Sequence, residues 1–383
     1  MNQKERNSNF ELMRIVSMLF IILWHIYMFG GIRNNPRIMN PTIKVFFEIV
    51  LFIIIVHVNS FVLISGYHQY KSKFNLKKLF SLIDISLFYR VVIVLVLLLL
   101  GLITIGKIEA LRYFSPLLLT ENGEYWYLRV FILLYIFSPF INLLIQKLNK
   151  KNHFQLLVLL FIFFSFLPFV SGNRINENYG YTLSNFIFLY LIGSYISKYK
   201  IKEKILNRIS NNLYRLLLFI IFILSAIFNF CLYKTTGQFF LTGKIIGELS
   251  RNINSMHIAY SNPLVIIQTV SYFLFFESFN FKSKIINKIS SLTLGIYLIH
   301  NNTYLKLFLY KWLKIENGNV YSYKFILYVF IMIFVIFILC AIIEFLRQII
   351  IGFIKKRKIT KLFQEKIYSF INSFKIKESN IKE

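Results

Sequence analysis

The sequence is poor in residues that build flexible linkers or covalent frameworks. Only six prolines occur in 383 residues, and there is no Ser-rich or Gly-rich stretch. This argues against a long linker or a second soluble domain. The two cysteines, Cys231 and Cys340, both lie in apolar runs and indicate neither a disulfide framework nor a metal site.

Acidic residues are also scarce, with 16 Asp and Glu against 44 Lys and Arg, for a formal net charge of +28. In a soluble chain such an excess would suggest nucleic-acid binding. Here, however, 57% of the residues are hydrophobic, and the basic residues lie between long apolar segments. The composition therefore predicts an integral membrane protein with no nucleic-acid partner.

Ten apolar runs are long enough, or nearly long enough, to cross a bilayer as helices. They predict an all-α, multi-pass fold with about ten transmembrane helices. The run at 183–197 is the shortest and would be tilted or half-buried. The ten runs are Phe10–Gly30, Ile43–Ser65, Ile83–Gly106, Trp126–Ile145, Phe154–Val170, Leu183–Ser197, Tyr214–Tyr233, Pro263–Phe279, Ile289–Leu313 and Tyr323–Phe353.

The distribution of Lys and Arg predicts the orientation of these spans. The connections on the side of the N-terminus, with the C-terminal tail, hold 26 of these residues, and those on the other side hold nine. Positive residues accumulate on the cytoplasmic side, so both termini are predicted to be cytoplasmic and the protein to lie in a bacterial plasma membrane. We divide the chain into a membrane domain, 1–353, and a basic tail, 354–383, which has the pattern of an amphipathic helix on the lipid surface.

Beyond Glu11 at its start, the first span has Arg14 and His25 as ionisable residues inside an otherwise apolar run. Ser8 and Glu11 have capping-box spacing, which predicts that the helix begins just before the run. Eleven positions correspond to about three turns, so Arg14 and His25 leave the helix on one face, roughly 16 Å apart along its axis. The span is therefore expected to line a groove with a cation near one surface and an imidazole well inside.

Each of these residues also has a purely structural interpretation. Arg14 by itself could extend to the lipid headgroups, and a single histidine that faces a neighbouring helix is common. Ionisable side chains at membrane depth are costly and usually mark function. Because Arg14 and His25 lie on one face with no other charge between them, the pattern favours a functional stripe of polar side chains.

Further polar residues occur in three other spans. The second run ends in VNSFVLISGYH, where His57, Asn59, Ser65 and Tyr67 are expected near the cytoplasmic end, and Gly66 would allow close helix packing. Trp126 is the first residue of the fourth run. An alternative interpretation is that it belongs to the belt of aromatic residues at a membrane surface. His300 lies deep in the ninth run, where a single histidine is more often packed than catalytic. Five of them, Asn59, Ser65, Tyr67, Trp126 and His300, are weaker site candidates than Arg14 and His25.

The chemistry of Arg14 and His25 suits acyl transfer from a charged donor to a hydroxyl. The sequence has no phosphate-binding glycine loop, H-E-x-x-H, C-x-x-C pair or G-x-S-x-G elbow. A buried imidazole that stays neutral can act as a general base. A guanidinium can hold donor phosphates with two parallel hydrogen bonds.

Five motifs in order resemble the acyltransferase family 3 of multi-pass membrane proteins, which includes O-acetyltransferases of bacterial envelope polysaccharides. The resemblance covers about residues 9 to 350. The motifs are R-x10-H in the first span, NSFVLISGY at 59–67, YWYLRVFILLYIFSPFINLLI at 125–145, FLYLIGSYI in the sixth span and LTLGIYLIHNN at 292–302.

The resemblance implies transfer of an acyl group, most often acetyl, from acyl-CoA as co-substrate to a sugar hydroxyl of an envelope glycan or exopolysaccharide. It implies that His25 and Arg14 are the essential residues and that polysaccharide-assembly proteins are possible partners. Many members carry an R-x-x-R-type motif before the third span. Here only Lys77 and Lys78 stand in that neighbourhood, as weaker candidates for donor binding.

Two other functions remain open at this stage. A lipid-linked glycan exporter would use the same polar stripe to line a sugar path without covalent chemistry. A sensor or scaffold is less consistent with the sequence, because nothing resembles a soluble input domain. The sequence also leaves open the acceptor sugar, acetyl against succinyl, the oligomeric state, and whether His25 carries the acyl group or only moves a proton.

Overall fold

A computed structural model gives the fold of residues 7–33, 41–114, 125–172, 178–238, 244–312 and 323–355. Within these ranges the chain forms helices and no strands, which confirms the predicted all-α class. The first helices are α1 Asn9–Phe29, α2 Pro41–Ile54, α3 His57–Gln69, α4 Leu76–Leu99, α5 Lys107–Phe114, α6 Trp126–Lys147, α7 Lys150–Phe161 and α8 Leu167–Ser171. The others are α9 Leu183–Lys198, α10 Ile201–Leu206, α11 Asn211–Gln238, α12 Lys244–Ser255, α13 Pro263–Glu277, α14 Lys284–Ser290, α15 Thr293–His300, α16 Thr303–Trp312 and α17 Lys324–Lys355.

Each of the ten apolar runs is helical over most of its length, and in the described ranges seven helical segments are long and apolar enough to cross a bilayer. A multi-pass membrane fold is thus confirmed, whereas the count of ten stays a prediction. The sixth and eighth runs form α9 and α13, which have 16 and 15 residues. Helices of this length are at the lower limit for a span.

The ninth run was expected to be one continuous helix, and this prediction is wrong. The structure divides it into α14, α15 and α16, with breaks after Ser290 and after His300. At the second break, the side-chain oxygen of Asn302 accepts hydrogen bonds from the backbone N–H groups of Tyr304 and Leu305, both at 3.1 Å. The amide of Asn302 thus starts a new helix beside His300 by satisfying its first free N–H groups.

The N-terminus of α1 lies where the sequence predicts it, but the predicted capping box does not form. Ser8 donates a hydrogen bond to Asn287 Oδ1 at 2.8 Å and makes no side-chain cap on α1. Glu11 instead accepts hydrogen bonds from Arg14 and from Ser290. The side chains that would cap the helix are used in tertiary contacts with α14.

Two glycines allow α3 and α9 to pack backbone against backbone. A Cβ on Gly66 would collide with the backbone of Tyr190, and a Cβ on Gly193 would collide with that of Leu63. The predicted role of Gly66 in close helix packing is confirmed. Lipid tails are as apolar as the helices, so the hydrophobic effect does not drive helices together in a membrane. Van der Waals contacts between closely packed backbones do so instead, and small residues permit them.

Much of the described surface is apolar, and the buried core contains many polar side chains among its apolar ones. Leu99 and Phe140 are 87% and 70% exposed, whereas Asn59 and His300 are fully buried. The predicted tail helix at 354–383 lies outside the described residues, apart from the end of α17.

Two further charged residues that are buried within spans, Glu344 and Arg90, have structural partners. Glu344 accepts hydrogen bonds from Arg347 and Tyr89 at 2.7 Å and 2.5 Å. The buried Arg90 guanidinium lies 4.7 Å from the centre of the Tyr113 ring. These contacts connect α4, α5 and α17 away from the cavity described next.

Candidate active site

A cavity of about 500 Å³ follows one face of α1 from Arg14 to Phe29. Helices α3, α4, α6, α15 and α16 supply most of the other walls. Both residues of the predicted stripe line it, so the groove inferred from their spacing is present. Fifteen residues at about 1.5 Å each place its two ends more than 20 Å apart along α1. We call them the Arg14 end and the Lys306 end after the cations that lie there.

At the Arg14 end, a carboxylate orients the guanidinium. Arg14 Nη1 donates to both oxygens of Glu11 at 2.8 Å, and the Ser290 hydroxyl donates to Glu11 Oε2 at 2.5 Å. The Arg14 side chain remains 28% exposed and lines the cavity together with Lys78. Because only one nitrogen is used for Glu11, the rest of the planar donor set is available for an anion.

Nearer the Lys306 end of the cavity, His25 is hydrogen-bonded to a second histidine. His25 Nδ1 lies 3.0 Å from Nε2 of His300, and His300 Nδ1 lies 2.6 Å from the carbonyl oxygen of Ile296. A carbonyl only accepts, so His300 carries its proton on Nδ1 and, as a neutral ring, accepts at Nε2. His25 must then donate from Nδ1.

This chain of hydrogen bonds decides which atom of His25 can react. With the proton on Nδ1, the Nε2 atom of a neutral His25 carries a lone pair. No described residue is hydrogen-bonded to that atom, and the ring lines the cavity. A base whose tautomer and orientation are set by a second group is the arrangement of catalytic acid–base sites.

A third histidine lies in the same wall. His57 Nδ1 contacts the carbonyl oxygen of Ile54 at 2.6 Å, at the break between α2 and α3, and its Nε2 is 3.2 Å from the Tyr260 hydroxyl. Its ring packs against Trp24, with ring centres 5.6 Å apart. His57 is therefore level with His25, and the expectation that it lies near an end of the span is wrong. The break in the helix frees the carbonyl that holds it.

Aromatic rings form a wall toward the Lys306 end. The ring centres of Trp126 lie 4.3 Å from Tyr181 and 5.6 Å from Tyr260, and those of Tyr181 and Tyr260 are 5.1 Å apart. All three residues line the cavity. Trp126 thus packs against other aromatic rings in the cavity wall.

The charges on the cavity wall all have one sign. Among the described lining residues, Arg14, Lys78 and Lys306 are cationic and none is Asp or Glu. Lys306 Nζ lies 4.6 Å from the centre of the Phe29 ring, and the Phe29 ring centre is 5.5 Å from that of His25. A cation therefore stands about one turn of α1 beyond His25.

The structure brings most of the predicted site residues together. Arg14, His25, Ser65, Lys78 and Trp126 line the cavity, and His300 supports His25 from behind.

Three predicted candidates lie elsewhere. Asn59 donates to the carbonyl oxygen of Tyr260 at 2.8 Å, Tyr67 donates to Glu277 at 2.9 Å, and Lys77 is exposed at the start of α4. The hydrogen bonds of Asn59 and Tyr67 hold neighbouring parts of the bundle together. None of the three residues lines the cavity.

Three residues of the cavity wall were not predicted as site residues from the sequence, namely His57, Tyr260 and Lys306. A signal existed for His57, because it is the third histidine in the apolar spans. None existed for Tyr260, which lies in the turn between α12 and α13, or for Lys306, which lies near the start of α16. Both come to the cavity through contacts that are distant in the chain, Tyr260 with His57 and Lys306 with Phe29.

A bundle of membrane-length helices around a cavity that carries an oriented imidazole and an oriented guanidinium defines a multi-pass membrane protein with a polar internal cavity. The chain belongs to the acyltransferase family 3, because the family model described as an acyltransferase domain matches residues 7–345. It is therefore a membrane acyltransferase. Comparison with curated proteins and with solved structures gives no match in either case.

Proposed function

We propose that this acyltransferase moves an acyl group, in the first instance acetyl, from acyl-CoA to a sugar hydroxyl of a bacterial envelope glycan. The observation that carries the proposal is the hydrogen-bond chain from Ile296 through His300 to His25. It leaves a basic lone pair in the same cavity as an oriented arginine. The two groups correspond to the two tasks of the reaction, which are proton transfer and the binding of a polyphosphate donor.

In the proposed reaction, His25 Nε2 takes the proton of the acceptor hydroxyl as its oxygen bonds to the thioester carbonyl carbon. The carbon–sulfur bond then breaks, and the imidazolium returns the proton to the departing thiolate. Nothing is oxidised or reduced. His300 accepts from His25 Nδ1 throughout, which stabilises the positive ring that forms between the two steps.

The donor enters at the Arg14 end in this proposal. Arg14 and Lys78 are the cations there, and phosphates of CoA are the anions that they would bind. The excess of basic residues on this side of the spans predicts that it faces the cytoplasm, where acyl-CoA is made. The acceptor then reaches His25 from the opposite, Lys306 end.

The test is NMR of the envelope polysaccharide from three strains, with the intact protein, with a deletion, and with His25→Ala at matched expression. We expect both altered strains to lose one O-acyl signal while the amount of polymer is unchanged, and that signal identifies the acceptor. A His25→Ala strain with normal acylation would contradict the proposal. If the deletion strain loses its surface polymer and the His25→Ala protein restores that polymer with its acylation unchanged, the protein is an exporter.

A further inference from the structure

Two side chains in the half of the cavity beyond His25 carry polar groups that no other part of the described chain uses. They are the indole of Trp126 and the amide of Asn301, and both residues line the cavity. Asn301 is only 9% exposed, and neither its amide nor the indole N–H of Trp126 is hydrogen-bonded to a described residue. Buried polar groups in proteins are nearly always paired, so this pair of side chains points to a ligand.

The indole and the amide are held at one level of the cavity. Their chain neighbours, Tyr125 and Asn302, are in contact, because the side-chain amide of Asn302 donates to the Tyr125 hydroxyl at 3.3 Å. That hydroxyl donates in turn to the carbonyl oxygen of Leu298 at 2.7 Å. The start of α6 is thus fixed against the end of α15, next to His300.

This level lies away from the cations Arg14 and Lys78. Helix α6 runs from Trp126 toward those cations, and on the way Tyr135 donates to the carbonyl oxygen of Asn75 at 3.1 Å, directly before α4. The helical rise places Trp126 about 13 Å from Tyr135 along α6. The indole therefore lies on the side where the acceptor, and not the CoA phosphates, is proposed to enter.

The aromatic wall combines ring faces with neutral hydrogen-bonding groups. The rings of Tyr181 and Tyr260 extend the surface of Trp126, with ring centres 4.3 Å and 5.6 Å from it. An acyl chain or a lipid tail would use the rings but not the amide of Asn301. A pyranose uses both, because its axial C–H groups form a flat apolar face while its hydroxyls lie around the edge.

We propose that Trp126 and Asn301 form a subsite for a pyranose ring of the acceptor, which stacks its C–H face on the indole and hydrogen-bonds its hydroxyls to the amide. An amide both donates and accepts, so two neighbouring sugar hydroxyls satisfy it. This inference rests on the proposed function, because it treats this half of the cavity as the acceptor side. It makes recognition of the acceptor depend on ring shape and hydroxyls and not on charge.

Equilibrium binding tests this without any acyl transfer. The protein is the full chain in nanodiscs, and the probe is the unacylated envelope glycan from a deletion strain, fluorescently labelled. The variants are Trp126→Leu, Trp126→Tyr and Asn301→Ala. Tyr195→Leu and Gln155→Ala are the matched controls, because Tyr195 is a half-buried ring and Gln155 an exposed amide, and neither lines the cavity.

We expect Trp126→Leu to weaken binding roughly ten- to hundredfold, as for a tryptophan at the centre of a binding site. Trp126→Tyr keeps an aromatic face and should bind within about fivefold of the wild type. Asn301→Ala should weaken binding roughly five- to fiftyfold through the loss of two hydrogen bonds, and both controls should bind as the wild type does. These ratios should be the same at low and high salt, because the lost contacts carry no charge.

An unchanged melting temperature in detergent shows that a variant is folded. If Trp126→Leu does not fold, Asn301→Ala decides, because it removes a single small side chain and leaves the aromatic wall in place.

The proposal is overturned if a folded Trp126→Leu or Asn301→Ala protein binds the glycan as tightly as the wild type, or if the wild type binds no glycan. Normal glycan binding together with a raised KM for acyl-CoA in these variants would assign the two side chains to the donor instead. Glycan binding that depends on Trp126 and Asn301, without any acyl transfer by the wild type, would count against the proposed function and leave the glycan subsite intact.

Discussion

Replacement of His300 by phenylalanine tests the proposed tautomer of His25. His300 is fully buried, and phenylalanine has a ring of similar size with no hydrogen-bond acceptor. The change therefore removes the 3.0 Å contact to His25 Nδ1 with little loss of volume. Ile296 keeps its ordinary helical hydrogen bond, because the imidazole is an additional donor to that carbonyl.

The expected effect follows from the value of one buried hydrogen bond. A net contribution of about 1–2 kcal/mol holds the proton of His25 on Nδ1. Without it, the ratio of the tautomer with a lone pair on Nε2 to the tautomer with a lone pair on Nδ1 falls roughly 5- to 30-fold, since about 1.4 kcal/mol corresponds to a factor of ten. We therefore expect kcat to fall several-fold, and by at most that factor, while KM for acyl-CoA stays constant, because His300 lies away from the Arg14 end.

The assay is acyl transfer by the full chain in membranes, with enzyme amounts matched by immunoblot. His300→Gln provides an oxygen that can accept from Nδ1, so it should recover part of the activity. In a His25→Ala background, His300→Phe should have no further effect, since residues that act as one unit are not additive. A His300→Phe enzyme within about twofold of wild-type kcat would refute the reasoning, as would equal losses in the phenylalanine and glutamine variants.

Two further substitutions test the ends of the argument. Arg14→Lys keeps the positive charge but loses the planar set of donors that can bind Glu11 and a phosphate at the same time. We expect KM for acyl-CoA to rise roughly tenfold or more, with a smaller change in kcat. An unchanged KM would contradict donor binding at this end. Gly66→Ala places a methyl group against the backbone of Tyr190 and should lower the free energy of unfolding by about 1–3 kcal/mol, measured as a lower melting temperature in detergent. Gly352→Ala, where no atom lies within 4 Å of the added Cβ, is the control, and equal melting temperatures for both variants would show that α3 and α9 separate easily.

The sequence by itself predicts a multi-pass helical membrane protein and the two site residues of α1, Arg14 and His25. Apolar runs must become helices in a bilayer, because every backbone polar group there needs an internal partner. The spacing of Arg14 and His25 places them on one face through the helical period alone. Both inferences depend on residues that are close together in the chain.

The tertiary structure decided the rest. His25 meets His300 across 275 residues, and Lys306 reaches Phe29 only because the ninth run breaks after His300 and begins again as α16. Periodicity describes one helix at a time and carries no record of which helices pack together or where an apolar run will turn. The tautomer of His25, the single sign of the cavity charges and the aromatic wall are properties of such contacts, so they follow from packing and not from any pattern along the chain.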